Sequence, residues 1–272
     1  MTFLVSKENA VMVEQSEIDA LEDRLTLVKE LEGNPMGVEI KKFGNAVAFS
    51  VKNIPGPSFN TIKGICNNNV GDIDSMLDFY SSRDIPARFE ITPTKSTTEL
   101  LRTLSINGYF QSGFHTSLYQ SMDVDLKLNN EPQPSILIEE ISKNDFNIYG
   151  EIYTKGFGMP SFLKGNVTEN NKILLNNGKW TFYMASVKGE PAGVGVLFVK
   201  NGVGTLAASA TVPELRNKGV QTALIKKRIE KAIELNCTLI VGQAAYGSVS
   251  QKNMERAGLK IAYTNAIWEK FS

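Results

Sequence analysis

The sequence predicts an α/β (α+β) chain made of two tandem halves, each a mixed, mostly antiparallel sheet flanked by helices. Three observations lead there. Segments of helical and strand periodicity alternate along the chain. A run of linker composition, KLNNEPQPS from Lys127 to Ser135, divides it near the middle. The second half then repeats the order of the first at an offset of about 150 residues. The expected boundaries are residues 1–126 for the first domain, 127–135 for the linker and 136–272 for the second domain.

The elements follow in order. Glu17–Glu32 carries Ile18, Leu21, Leu25, Val28 and Leu31 at helical spacing, with Gly33 as its stop. Val38–Val51 has strand character broken at Gly44-Asn45, a hairpin signature. A helix is expected over Asp72–Arg83, a short strand over Ala87–Ile91, a helix over Thr97–Asn107 and a pair of strands from Tyr109 to Tyr119. In the second half, Trp180–Val187, Ala192–Lys200 and Val203–Thr211 read as a three-strand meander joined by the KGEP and Asn201-Gly202 turns. A helix over Val220–Glu234, a strand over Thr238–Val241, a helix over Ser250–Ala257 stopped by Gly258, and closing strands to Trp268 complete the reading. The two endings align, with Gly108 over Gly258 and Ile91 over Val241.

Composition excludes several classes of function. The 272 residues, 42% of them hydrophobic, suffice for a substantial core. The 29 Lys and Arg are matched by 29 Asp and Glu, so the surplus cations that coat nucleic acid are missing. Two Cys and one His are too few for a disulfide framework or a conventional zinc site. The longest apolar stretch, Ala192–Val199, is far short of the roughly 20 residues of a membrane span. The opening MTFLVSKENAVMVEQSE lacks a basic start followed by an apolar core. The expectation is a cytoplasmic protein without metal, nucleic acid or membrane as partner, in which the sequons at Asn166 and Asn236 carry no weight.

The stretch that carries chemistry is GTLAASATVPELRNKGVQTAL, from Gly204 to Leu224. A strand ends at Val212, a loop carries Arg216 and Gly219, and a helix starts at once. A helix start presents four unpaired N–H donors and the positive end of a dipole, so such a loop cradles phosphate. Gly219 lets an anion approach the main chain, Arg216 and Lys218 add charge, and Thr222 adds a hydroxyl. Neither G-x-G-x-x-G nor G-x-x-x-x-G-K-[ST] is present. The G-x-G pairs Gly193/Gly195 and Gly202/Gly204 lie within strands or turns and read as structural.

The meander followed by ATVPELRNKGVQTAL, helix, strand, helix and Gly resembles the GCN5-related N-acetyltransferase (GNAT) family. That family's [RQ]-x-x-G-x-[GA] signature is matched by Arg216-Asn217-Lys218-Gly219-Val220-Gln221, with Gln221 in place of Gly or Ala. The resemblance covers Ile136–Ser272 well and the first half weakly. It implies acetyl-CoA as cosubstrate, its pantetheine arm pairing with the main chain of Ala210, Thr211 and Val212. The pyrophosphate would rest on the amides of Asn217, Lys218, Gly219, Val220, Gln221 and Thr222. Met254 stands where many members have a Tyr that protonates the leaving thiolate. The last helix is closer to a variant with Ser eight residues before its Gly, matched by Ser250, although Gly247 replaces that variant's Asn. The candidate acids are therefore Ser250 and Tyr246. The strand Val203–Thr211 has no Glu, Asp or His to act as base.

Opposite this loop the first half has Cys66-Asn67-Asn68-Asn69-Val70-Gly71-Asp72, without a cation, and reads as a degenerate copy. His115, Cys66 and Cys237 read as structural, and Lys155–Gly165 (KGFGMPSFLKG) falls where the family has an acceptor-facing loop. The expected activity is acetyl transfer from acetyl-CoA to an amine, either a small molecule or a peptide. The alternatives are a non-catalytic acyl-CoA-binding or regulatory module and a tRNA-dependent aminoacyl transferase.

Overall fold

The computed structural model describes residues 6–54, 56–122 and 136–270, so the linker at Lys127–Ser135 lies outside the described residues. In chain order the elements are α1 (Lys7–Lys29), β1 (Val38–Phe43), β2 (Ala46–Val51), β3 (Thr61–Lys63), α2 (Ile73–Ser81), β4 (Phe89–Ile91), α3 (Thr98–Ile106) and β5 (Tyr109–Ser121). Then follow β6 (Ile136–Glu140), α4 (Phe146–Gly156), α5 (Lys164–Lys172), β7 (Trp180–Val187), β8 (Glu190–Lys200), β9 (Val203–Thr211), α6 (Val220–Glu234), β10 (Leu239–Ala245), α7 (Val249–Arg256) and β11 (Lys260–Lys270). No described helix is long and apolar enough to cross a membrane.

Most of the expected elements form, with instructive exceptions. α1 starts at Lys7 rather than Glu17, capped by Ser6, whose Oγ accepts from the Asn9 N–H at 3.1 Å. Its early turns bury Glu14, Ser16, Glu17 and Asp19, so apolar periodicity underreports the helix there. The β1–β2 hairpin closes at Phe43↔Ala46, and Gly44 takes a φ of +57° that a side chain would resist. The strand pair expected from Tyr109 is one strand, β5, because Gly113 continues the extended chain instead of turning it. β11 is likewise a single strand.

Contacts divide the chain into two units. The first takes the chain up to Ser117, Ala244–Tyr246 and the segment from Ile261; the second takes Leu118–Gln243 and Gly247–Lys260. In the first, β1, β2 and β3 are antiparallel, α2 follows, and β4 runs parallel to β3 at Ile62↔Phe89. In the second, β6, β7, β8 and β9 are antiparallel, α6 follows, and β10 runs parallel to β9. The two halves therefore share one plan, as the offset implied. The final strands depart from it. β11 pairs with β4 in the first unit through Ala266↔Ile91, whereas the end of β5 is counted in the second, where the Met122 N–H donates to the Thr238 carbonyl.

The first unit's core joins Ile62, Phe89, Ile91 and Trp268 of the sheet to Met76, Tyr80, Leu100 and Leu104 of α2 and α3. In the second, Tyr183, Ala185 and Ala192 receive Val220 and Leu224 of α6. Gly193 allows that approach, since a Cβ there would lie 2.6 Å from Val220 Cγ1. Burying each such aliphatic side chain stabilises by ~1.5–3 kcal/mol, which anchors the first turn of α6 against the sheet.

Candidate functional site

β9 carries an irregular ladder. Its pairing with β8 passes from Val196↔Ala208 to Leu197↔Leu206, leaving Ala207 as an extra residue, a β-bulge. On its other side the ladder with β10 ends at Leu206↔Gly242. Beyond that point no described strand pairs with Ala207–Thr211 on this edge. The Val212 N–H donates to the Ala192 carbonyl at 2.9 Å, which fixes the alternation: Ala210 and Val212 address β8, and Ser209 and Thr211 turn their main-chain groups to the open edge. Ser209 is an edge residue that the sequence does not reveal beside Ala210, Thr211 and Val212, because a bulge that shifts the alternation leaves no mark in residue type.

The loop after β9 makes a short 3₁₀ turn at Pro213–Leu215, after which Asn217 and Gly219 both take left-handed conformations, with φ of +61° and +82°. Gly219 is the N-cap of α6 and offers no side chain to the helix. The first intrahelical bond is Ala223 N–H to Gly219 C=O at 3.0 Å, so the N–H groups of Val220, Gln221 and Thr222 have no acceptor within the helix. These donors gather at the positive end of the helix dipole beside exposed Lys218.

Arg216 is used differently from the sequence expectation. Its Nη2 donates to the Gly156 carbonyl at 2.9 Å and its Nε to the Thr211 carbonyl at 3.4 Å, so the guanidinium clamps the end of α4 to the end of β9. Gly156 sits so close that a Cβ there would lie 2.7 Å from Ala210 Cβ. The segment Lys155–Gly165 begins at this clamp, turns at Ser161–Leu163 and enters α5, leaving Phe162 80% exposed. The Phe157 ring lies tilted against Tyr153 with centroids 4.5 Å apart, and Tyr153 against Tyr149 at 5.8 Å, an aromatic row leading from the core to this loop.

The Gln221 side chain turns toward α7. Its Nε2 donates to Ser250 Oγ at 2.9 Å, and its Oε1 accepts from Asn253 Nδ2 at 2.6 Å. Ser250 is thus tied to the first turn of α6, and α7 is capped by Ser248 instead, whose Oγ accepts from the Gln251 N–H. Met254 is buried with its Sδ where a Gly242 side chain would be, a core role. Tyr246 is 68% exposed in the turn after β10.

In the first unit the corresponding loop is filled from within. Asn69 Oδ1 accepts from the Cys66 N–H at 3.2 Å, and its Nδ2 donates to the Phe43 carbonyl at 2.7 Å. Its Nδ2 also lies 3.2 Å from Asp72 Oδ2, so side chains occupy the space before α2. Burial pushes the Cys237 thiol above its usual range and lowers His115 below its own.

Comparison with known proteins agrees with this geometry. Residues 146–256 match the model of the Acetyltransferase (GNAT) family. A GCN5-related N-acetyltransferase from Kribbella flavida superposes with a TM-score of 0.68 at 10% identity, over 96% of each chain. A tandem GNAT protein from the clavulanic acid biosynthesis pathway gives 0.64 at 11% identity, over 94% of each chain. A GCN5-related N-acetyltransferase from Sphaerobacter thermophilus gives 0.62 at 13% identity, over 90% of this chain and 84% of that one. No curated protein matches the sequence. Residues 146–256 are similar to the GNAT acetyltransferase family, and the chain has the tandem GNAT fold.

Proposed function

We propose that the chain is a cytoplasmic N-acetyltransferase whose second unit binds acetyl-CoA and passes the acetyl group to the amine of a small molecule or peptide. The observation that carries this reading is the set of acceptor-less N–H groups of Val220, Gln221 and Thr222 behind a side-chain-free Gly219, next to the unpaired edge of β9. The donors suit a pyrophosphate, and the edge suits an amide-bearing arm that pairs with main chain. Acetyl-CoA, when bound, supplies the activated acetyl thioester. Within the chain, Ser209 and the N–H of Thr211 offer the edge groups, the Thr211 carbonyl being engaged by Arg216, and Lys218 adds charge outside the cradle.

In the transfer the acceptor nitrogen gains the acetyl group and sheds a proton, and the departing sulfur gains one. Ser250 suits the second role, because its oxygen accepts from Gln221 and its own O–H proton is left to donate. Tyr246 is the weaker candidate, since its side chain is largely exposed. Titration calorimetry with acetyl-CoA, paired with detection of free thiol across an amine panel, tests the whole reading. Binding together with thiol release upholds it. Binding without release assigns a non-catalytic module, and tight binding of charged tRNA instead assigns an aminoacyl transferase.

A further inference from the structure

Arg228 stands in the middle of α6 with its side chain 2% exposed, the largest side chain among those fully buried. No carboxylate among the described residues pairs with it, and burial lowers its pKa to about 10. A cation buried without a counter-charge is a costly arrangement, which the surrounding dipoles must offset. Here the dipoles are carbonyls. Nε donates to Leu224 in its own helix at 3.0 Å, and Nη1 donates to Val196 at 3.2 Å and to Ala208 at 3.1 Å.

Val196 and Ala208 are the pair that borders the bulge at Ala207. Room for the guanidinium comes from Gly195, where a Cβ would lie 3.1 Å from Nε and 3.3 Å from Cζ of Arg228. One member of the Gly193/Gly195 pair therefore exists in register with a buried arginine. The geometry extends one atom further. The carbonyl of Ala208 and the N–H of Ser209 belong to one planar peptide and point in opposite directions. Holding that carbonyl toward β8 aims the Ser209 N–H at the open edge, and a cation on the oxygen side polarises the peptide so that the N–H donates more strongly.

We propose that Arg228 is a positioning residue that holds the bulge of β9 and aims the Ser209 amide at the carbonyl oxygen of the acyl thioester. This rests on the acetyl-transfer reading and adds to it the device that sets the thioester. As the acceptor nitrogen bonds to the carbonyl carbon, an electron pair moves onto that oxygen, where the Ser209 N–H receives it. The pair returns as the carbon–sulfur bond breaks, the sulfur leaves with the bonding electrons, and the nitrogen releases its proton to solvent. A donor that strengthens as charge develops lowers the barrier without tightening binding of the ground state.

The test compares Arg228→Met, Arg228→Lys and Gly195→Ala with wild type. Gly195→Ala keeps the charge and displaces the guanidinium by a few tenths of an ångström, so it serves if Arg228→Met does not fold. Thiol release from acetyl-CoA, with water or an amine panel as acceptor, gives kcat and KM. Calorimetry with CoA lacking the acetyl group reports the phosphate cradle alone. The ¹⁵N-amide shift of Ser209, compared between CoA and acetyl-CoA, reports the contact directly. The expected result is a kcat about 100-fold lower in Arg228→Met and about 10-fold lower in Gly195→Ala, with KM and CoA affinity held within about threefold. Arg228→Lys recovers part of the loss, and the acetyl-dependent shift of Ser209 vanishes in Arg228→Met. A folded variant with wild-type kcat, or an unchanged Ser209 shift, overturns the role of Arg228 alone. A wild-type protein that binds no acetyl-CoA overturns the acetyl-transfer reading, and this inference with it.

Discussion

Gln221 Nε2 donates to Ser250 Oγ at 2.9 Å, joining the first turn of α6 to the first turn of α7. Gln221 occupies the position at which the loop's signature departs from Gly or Ala, and the departure supplies a side chain that orients a hydroxyl. Ser250→Ala is expected to lower kcat about 100-fold while leaving CoA affinity unchanged, in keeping with loss of a positioned proton donor. Gln221→Leu keeps the hydroxyl but frees it, and is expected to lower kcat about 10-fold. Tyr246→Phe is expected to change little. Steady-state kinetics across pH separates these outcomes, and an unchanged rate in Ser250→Ala removes the proton-donor role.

The left-handed φ of +82° at Gly219 makes a second prediction. An aspartate there meets about 1–2 kcal/mol of backbone strain, partly offset because its carboxylate caps the helix. The fold should therefore survive. The same carboxylate lies against the position proposed for the pyrophosphate, so on that proposal Gly219→Asp should weaken acetyl-CoA binding by at least about 100-fold, or ~2.7 kcal/mol. Calorimetry on protein of unchanged circular dichroism reads this out, and micromolar affinity in the variant would place the cofactor elsewhere.

How much of this was legible beforehand depended on whether the determining interaction is local. β9 and α6 form over the residues predicted, because a two-residue turn and a Gly-terminated loop mark their ends within a few positions. The N–H donors at the start of α6 were legible for the same reason, since they belong to consecutive residues. Three features were not. The bulge at Ala207 comes from a register between strands and leaves no periodicity of its own. The engagement of Arg216 with Gly156 spans 60 positions, so composition could only assign it a free charge. The destination of the final strands was hidden because the two halves end alike, and nothing in either tail says which strand it pairs with.

That clamp yields a third prediction. Arg216 serves two carbonyls from different elements through two separate nitrogens of a rigid planar fork, a geometry that the single nitrogen of an ammonium does not reproduce. Arg216→Lys should therefore resemble Arg216→Ala, each losing about 0.5–1.5 kcal/mol of stability. Both should also loosen the loop at Phe157, read as faster amide hydrogen exchange there. If Lys restores full CoA affinity and wild-type exchange, charge near the cradle matters and the clamp does not.

The last prediction concerns pH and lies in the first unit. Burial pushes the Glu17 carboxyl up from 4.5 to about 7, against the pull of Lys63 and of the Ser117 hydroxyl, with Glu90 and Glu14 adding to the rise. The Ser117 Oγ donates to Glu17 Oε1 at 2.6 Å, and Lys63 lies 3.8 Å from its Oε2 while engaging Glu90 more closely. Because the folded pKa exceeds the unfolded one, the native state keeps a proton that the unfolded chain sheds. This group's contribution is complete below pH 4.5 and is lost as pH rises to about 7, a decline of about 3 kcal/mol. Glu90 works in the opposite sense, since Lys63 holds its carboxyl below the usual range despite burial. A neutral amide at position 17 still accepts the Ser117 hydroxyl and has no charge to desolvate. Glu17→Gln should therefore gain stability over wild type at about pH 8 and show little gain at about pH 4.5, measured by urea unfolding at both values. Parallel pH dependence in the two proteins would mean that Glu17 titrates as an ordinary carboxylate and that the Lys63 cluster compensates its burial in full.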